Sequence, residues 1–294
     1  MNVSFLDNPE APFGLELMAE RERRGHLLKC DDKVRIFSFG GAIVENNREE
    51  KNMKLVVAYD GTGYFGWQRQ PNQPTIQGTI EERIELMVGK PVSLIGSGRT
   101  DAGVHALNQV ANFRVSTALT PSVLSRGLNS LLPESIIIKE AEYAPLSFHA
   151  RYDAKSKVYE YKIYNERIRS PFLRRYAWHI PRFLDVKAME DCLEIITGIH
   201  DFSSFCSTID RKSDSVRNII QAELNLQGGS ILSFYFEANG FLRHMVRNII
   251  GAVVKVGLGE ISVACFHEIL ESKGEQHAQA KAPPWGLYLK EVRY

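Results

Sequence analysis

The chain has 294 residues, 44% of them hydrophobic, with 36 Lys and Arg against 35 Asp and Glu and a formal net charge of +1. That is apolar content for one large core or two smaller ones, no apolar run approaches the ~20 residues of a membrane span, and the balanced charge excludes a uniformly basic nucleic-acid-binding chain. Cys30, Cys192, Cys206 and Cys265 lie far apart, with no CxxC pair and no histidine in ligand spacing, so neither a disulfide framework nor a zinc site is expected.

Residues 1–52 carry the mixed-charge runs AERERRGH and NNREEKN and show no sustained period. They read as a poorly ordered extension, or as an upstream over-call of the start with Met53 the initiator. The N-terminus is acidic and polar where a signal peptide would be basic and then apolar, and a cytoplasmic location is the default expectation. At Met53 the texture changes to MKLVVAYDGTGYFGWQ, a strand followed by a glycine-rich turn. Thr75 is placed to cap a helix with Ile76, Ile80, Ile84, Met87 and Val88 on one face, ending at Gly89. The strand VSLIG then leads into SGRTDAGVHA, residues 97–106. Gln109 to Val115 alternates like a strand, Thr120 and Pro121 open a short helix, and Ser135 to Glu142 reads as a strand.

A second half opens near Lys155 with KVYEYKIYN, in which Tyr159, Tyr161 and Ile163 share one face. A helix capped by Asp185 and ending at Gly198 follows, then strands near Val216–Leu226 and Ile231–Ala238. FLRHMVRNIIGAVVKVG reads as a helix starting after Gly240, with Arg243 and Arg247 on one side. A last helix near Ser262–Ser272 and the strand GLYLKEV close the chain. Irregular alternation with hairpin-like neighbours predicts an α+β fold with antiparallel or mixed sheets, divided into residues 53–150 and 151–294.

SGRTDAGVHA poses the chemical question, because it holds one carboxylate and neither a paired acid and base nor a metal-ligand cluster. Asp101 either caps a short helical turn or exposes its carboxylate to a substrate. Arg99 is either a structural ion-pair partner or a wedge filling the space of a displaced base. His105 is a general acid or base, or, as is commoner for a lone histidine among apolar residues, a hydrogen-bonded structural group. Arg243 and Arg247 read as solvated residues of an amphipathic helix or as an anion site at its N-terminus. From Ser147 to Arg182 there are nine Lys or Arg against three acidic residues, interleaved with Tyr152, Tyr159, Tyr161, Tyr164 and Tyr176. Cations for phosphates beside aromatic faces for bases suit a nucleic-acid track.

Taken in order, YDGTGYFGWQRQ, GRTDAGVHA, FHAR (residues 148–151), KVYEYKIYN, FLRHMVRNIIG and GLYL resemble the bacterial tRNA pseudouridine synthases of the TruA type, from about Met53 to Tyr294. The resemblance implies a catalytic Asp101, a Tyr159 that stacks on the target base, and an Arg247 that pairs with the aspartate. It makes Arg99 the arginine that holds the target nucleotide out of the stem. It further implies two α+β halves with joined sheets and a basic cleft between them, no metal or cofactor, and a homodimer sharing one tRNA. The implied substrates are uridines at positions 38 to 40 of the anticodon arm. In such an isomerisation the detached base itself completes the reaction, which is why one carboxylate suffices. Competing readings are an RNA-binding module without catalysis, an isomerase acting on another RNA, and a glycosidase. A glycosidase alone would release free uracil.

Overall fold

Apolar side chains at every second position from Met53 to Tyr59 set the first strand, since successive side chains of a strand point to opposite faces. In this computed structural model, which describes residues 49–207, 214–278 and 280–294, strand β1 (Lys51–Tyr59) buries Met53, Leu55, Val57 and Tyr59. It begins two residues before the boundary read at Met53. Asn52 is the reason. Its buried amide donates to the carbonyls of Pro145 and Phe148 at 2.9 Å each, and its own carbonyl accepts from Asn112. A residue that looks like loop polarity in the sequence thus ties the strand to the chain near residue 148. The readings made for residues 1–48 lie outside the described residues.

Four helices start where a side-chain oxygen can take up a free backbone N–H. Thr75 accepts from Gly78 ahead of α1 (Ile76–Val88), which ends where Gly89 turns left-handed. Thr120 caps α2 (Pro121–Leu131), Asp185 caps α3 (Val186–Ile196), and Ser262 caps α5 (Val263–Glu271). The remaining α-helix among the described residues, α4 (Met245–Gly257), differs from the reading. Its N-terminal flank is His244, held in the left-handed region at φ 65, and residues 241–244 lie outside the helix. The apolar run from Phe241 looks continuous in the sequence, but a non-glycine residue with positive φ cannot be read from hydrophobic spacing. Arg243 therefore does not share a helix face with Arg247.

The remaining strands are β2 (Ile95–Gly96), β3 (His105–Val115), β4 (Ile136–Ala144), β5 (Ser156–Tyr164), β6 (Trp178–His179), β7 (Gly198–Asp201), β8 (Val216–Gln227), β9 (Ile231–Ala238) and β10 (Leu287–Arg293). They form one mixed ten-stranded sheet in the order β4-β1-β3-β10-β5-β9-β8-β7, with β2 on β3 and β6 on β5. Among the described residues only β3 with β10 and β5 with β6 run parallel. Strand β10 is the seam. Its Leu289 pairs with Ala106 on one side and with Tyr159 on the other. That registration sets the start of β3, and with it the loop carrying Asp101, beside the middle of β5. Strand β3 starts at His105, four residues before the alternation seen in the sequence.

Candidate active site

The GRTDAG loop is fastened before it reaches Asp101. Gln109, fully buried on β3, accepts a hydrogen bond from Ser97 Oγ at 2.6 Å and donates to the Gly98 carbonyl at 2.9 Å. Thr100 Oγ1 lies 2.8 Å from Tyr59 Oη, and the Thr100 carbonyl accepts from the Trp67 amide. Behind this turn runs the glycine-rich loop that follows β1. Gly66 has φ +88, and a Cβ there would stand 2.5 Å from the Thr100 carbonyl oxygen. The two glycine-rich motifs interlock backbone to backbone. The Asp101 carbonyl accepts from Val104, making a turn, but among the described residues no backbone N–H donates to the Asp101 carboxylate. The side chain is not spent on a cap.

It reaches Arg247 instead. Arg247, in the first turn of α4 and almost fully buried, donates from Nη1 to Asp101 Oδ2 at 2.8 Å. Its Nε donates to the Ala282 carbonyl at 2.8 Å, while its own carbonyl accepts from the Ala282 amide. The guanidinium is thus fixed from two sides. Gly251 permits this, because a Cβ there would be 2.2 Å from the Ala280 carbonyl oxygen that lies against the helix. His244 Nε2 sits 3.6 Å from the same Oδ2. Burial holds the His244 imidazole below its ordinary pKa, with Lys281, Arg247 and Arg243 adding to the effect and Asp101 opposing it. Sequence reading missed His244 because its place at the helix start depends on the left-handed backbone.

Tyr159 lines the same cleft as Asp101, with Phe241 edge-on to its ring at 5.0 Å. Burial, helped by Tyr59 and Asp101, pushes the Tyr159 phenol above its usual pKa, so the ring is neutral. Its hydroxyl has no hydrogen-bond partner among the described residues. The cleft has a volume of about 1130 Å³ and its lining includes Trp67, Leu242, Met245 and Val246 as apolar walls. Arg99 is on it too, exposed and without a hydrogen bond or ion pair among the described residues. The lining holds five Lys or Arg (Arg99, Arg151, Lys157, Arg243, Arg247) and one carboxylate, Asp101.

The structure divides the basic segment between Ser147 and Arg182. Arg151 and Lys157 face the cleft, whereas Lys162 lies 3.6 Å from Glu160 and Arg182 pairs with Glu260 at 2.6 Å. Tyr159 and Tyr161 are buried, and Tyr152 is the most exposed of the interleaved tyrosines. His105 is not on the cleft. It is buried, accepts from the Gly61 amide at Nδ1 and contacts the carbonyls of Arg175 and Trp285 through Nε2. Burial lowers its pKa. This is a structural tether between the two glycine-rich loops and the exposed segment that carries Arg175.

The model of the tRNA pseudouridine synthase family matches residues 55–153 and 194–294. The chain belongs to this family. Among similar relatives are the tRNA pseudouridine synthases A of Caldicellulosiruptor bescii, 48% identical over 244 residues, and of Caldicellulosiruptor saccharolyticus, 45% identical over 244 residues. Each comparison spans 83% of this chain and all of the relative. The enzyme of the same name from Geobacillus sp. is 44% identical over 83% of this chain and 98% of its own length. Asp101, Arg99 and Arg247 fall inside the matched blocks of this pseudouridine synthase family, and Tyr159 falls between them.

Proposed function

We propose that this chain isomerises uridine to pseudouridine in the anticodon arm of tRNA, with Asp101 as its one catalytic carboxylate. The observation that carries the reading is the Asp101–Arg247 pair in a cleft lined by five cations and a single carboxylate. Cations of one sign lining a groove concentrate a polyanion. The lone acid suits a reaction that needs no activated water.

The isomerisation breaks N1–C1′, turns the uracil, and forms C5–C1′. One hydrogen leaves C5 and one is gained at N1, so nothing is consumed. Arg247, itself held by the Ala282 carbonyl, fixes Asp101 Oδ2, and among the described residues Oδ1 has no partner, which leaves that oxygen for the ribose or the base. Tyr159, kept neutral by burial, supplies a flat wall against the uracil rather than a base. The apolar walls retain the detached uracil and keep water from it. Arg99, exposed at the rim, is the side chain that fills the place of the extruded nucleotide. Residues 53–150 and 151–294 act as two halves facing the RNA, and two protomers share one tRNA.

The experiment is sequencing of tRNA after carbodiimide treatment, from a strain lacking the gene and from the same strain complemented with it. Pseudouridine in the anticodon arm that disappears with the gene and returns with it supports the reading. Unchanged tRNA contradicts it, and release of free uracil by the purified protein would make it a glycosidase.

A further inference from the structure

We infer that Lys157, with Arg151 beside it, forms a seat for one phosphodiester of the RNA strand, that of the nucleotide being turned over. The inference rests on the tRNA-modifying reading above. Lys157 is only half exposed, faces the cleft, and has no carboxylate or hydrogen-bond partner among the described residues. Several other cations borne by the sheet are ion-paired. Lys54 pairs with Glu142 at 2.8 Å, Lys162 and Lys290 flank Glu160, and Arg293 pairs with Glu237. Arg151, on the same cleft, repels Lys157. Burial, followed by that repulsion, lowers the Lys157 pKa. A partly buried ammonium with a second cation acting on it and, among the described residues, no carboxylate partner is costly until an anion arrives.

The position selects the anion. Lys157 and Tyr159 are two apart on β5 and project to the same face, about 7 Å apart along the strand. That is the reach from a base to the phosphate of its own nucleotide. The lysine stem also crosses Gly98, lying at van der Waals distance from where a Cβ would stand. Gly98 is in the loop that delivers Asp101, so the seat and the catalytic carboxylate share one support. A uracil against Tyr159 with its ribose at Asp101 then has its phosphate beside Lys157. A compact ammonium suits a backbone oxygen there, since no base edge has to be read.

The test is a thermodynamic cycle in binding. An anticodon stem-loop RNA carrying a single neutral methylphosphonate at the target nucleotide, and its all-phosphate counterpart, are each titrated against wild type, Lys157→Gln and Lys157→Arg over a salt series. For all-phosphate RNA, Lys157→Gln is expected to bind about tenfold more weakly and to lose about 0.7 to 0.9 from the log–log salt slope. The methylphosphonate should cost wild type and Lys157→Arg a similar factor and cost Lys157→Gln almost nothing. Wild-type affinity and slope in Lys157→Gln, or losses that simply add, would overturn the seat. If Lys157→Gln does not fold, a methylphosphonate penalty in wild type that Lys157→Arg reproduces supports the seat, and no penalty in wild type overturns it. The functional reading fails separately, when wild type binds the RNA but forms no pseudouridine, and the cycle is scored in either case.

Discussion

A carboxylate in a cleft lined by cations is held in place by geometry more than by charge, and Arg247 shows how. Its planar group makes two directed bonds at once, to Ala282 and to Asp101, both 2.8 Å. Lysine has three donors but all on one freely rotating nitrogen, and cannot hold the two acceptors in the fixed planar geometry set by Nε and Nη1. Arg247→Lys should therefore keep the charge yet lower kcat by about 10- to 100-fold, the worth of one charge-assisted hydrogen bond of about 1.5–3 kcal/mol. Steady-state kinetics on tRNA check this, and full activity in the lysine variant would reduce Arg247 to a phosphate contact. At this scale much of the site was legible. Asp101 stood out as one acid among glycines, whereas Arg247, read beside Arg243 as a solvated residue or an anion site, was tied to the aspartate by the family resemblance alone. His244 and the lack of a partner for Lys157 among the described residues were not legible. One depends on a left-handed backbone, the other on which carboxylates fail to come near, and neither is a local property of sequence.

Elements meet at this site through glycines that have no room for a side chain. Gly66 combines φ +88 with a carbonyl oxygen 2.5 Å from any added Cβ, and that carbonyl belongs to Thr100, next to Asp101. Gly66→Ala should cost about 1–3 kcal/mol of stability, and should lower kcat as well, because relief of the clash pushes the Asp101 turn into the cleft. Thermal unfolding and turnover measured on the same preparation check both effects. A stable variant with normal turnover would mean that the two loops are not mechanically coupled. The capped helices were readable, since Thr75, Thr120 and Asp185 announce themselves by type and position, and the last helix was placed near Ser262, which caps it. The start of β1 was not, because Asn52 is polar in sequence and buried in the fold. The start of β3 was hidden because His105 and its neighbours do not alternate.

Across the whole molecule, the pairing that matters most joins residues far apart in sequence. Strand β10 slots between β3 and β5, bringing Leu289 beside both Ala106 and Tyr159, and no local pattern encodes that insertion. The chain's net charge of +1 likewise hides a cleft of one dominant sign. Outside that cleft, Arg174 and Arg175 are exposed on the segment that His105 tethers. Replacing both with glutamine should weaken tRNA binding and flatten its salt dependence, by about 0.7 to 0.9 in log–log slope per lost phosphate contact. The loss should fall on affinity far more than on turnover. An unchanged slope would take the pair off the RNA track. The central claim, that one aspartate performs the isomerisation, is met most directly by Asp101→Asn. The amide is nearly isosteric and still able to sit near Arg247, but it can serve neither as nucleophile nor as base. The measurement is release of tritium from C5 of labelled uridine in tRNA, alongside tRNA affinity and a thermal melt. The account predicts a folded variant that binds tRNA and releases no tritium above background. Tritium release at the wild-type rate, in protein shown by mass spectrometry to be free of deamidation, would contradict it.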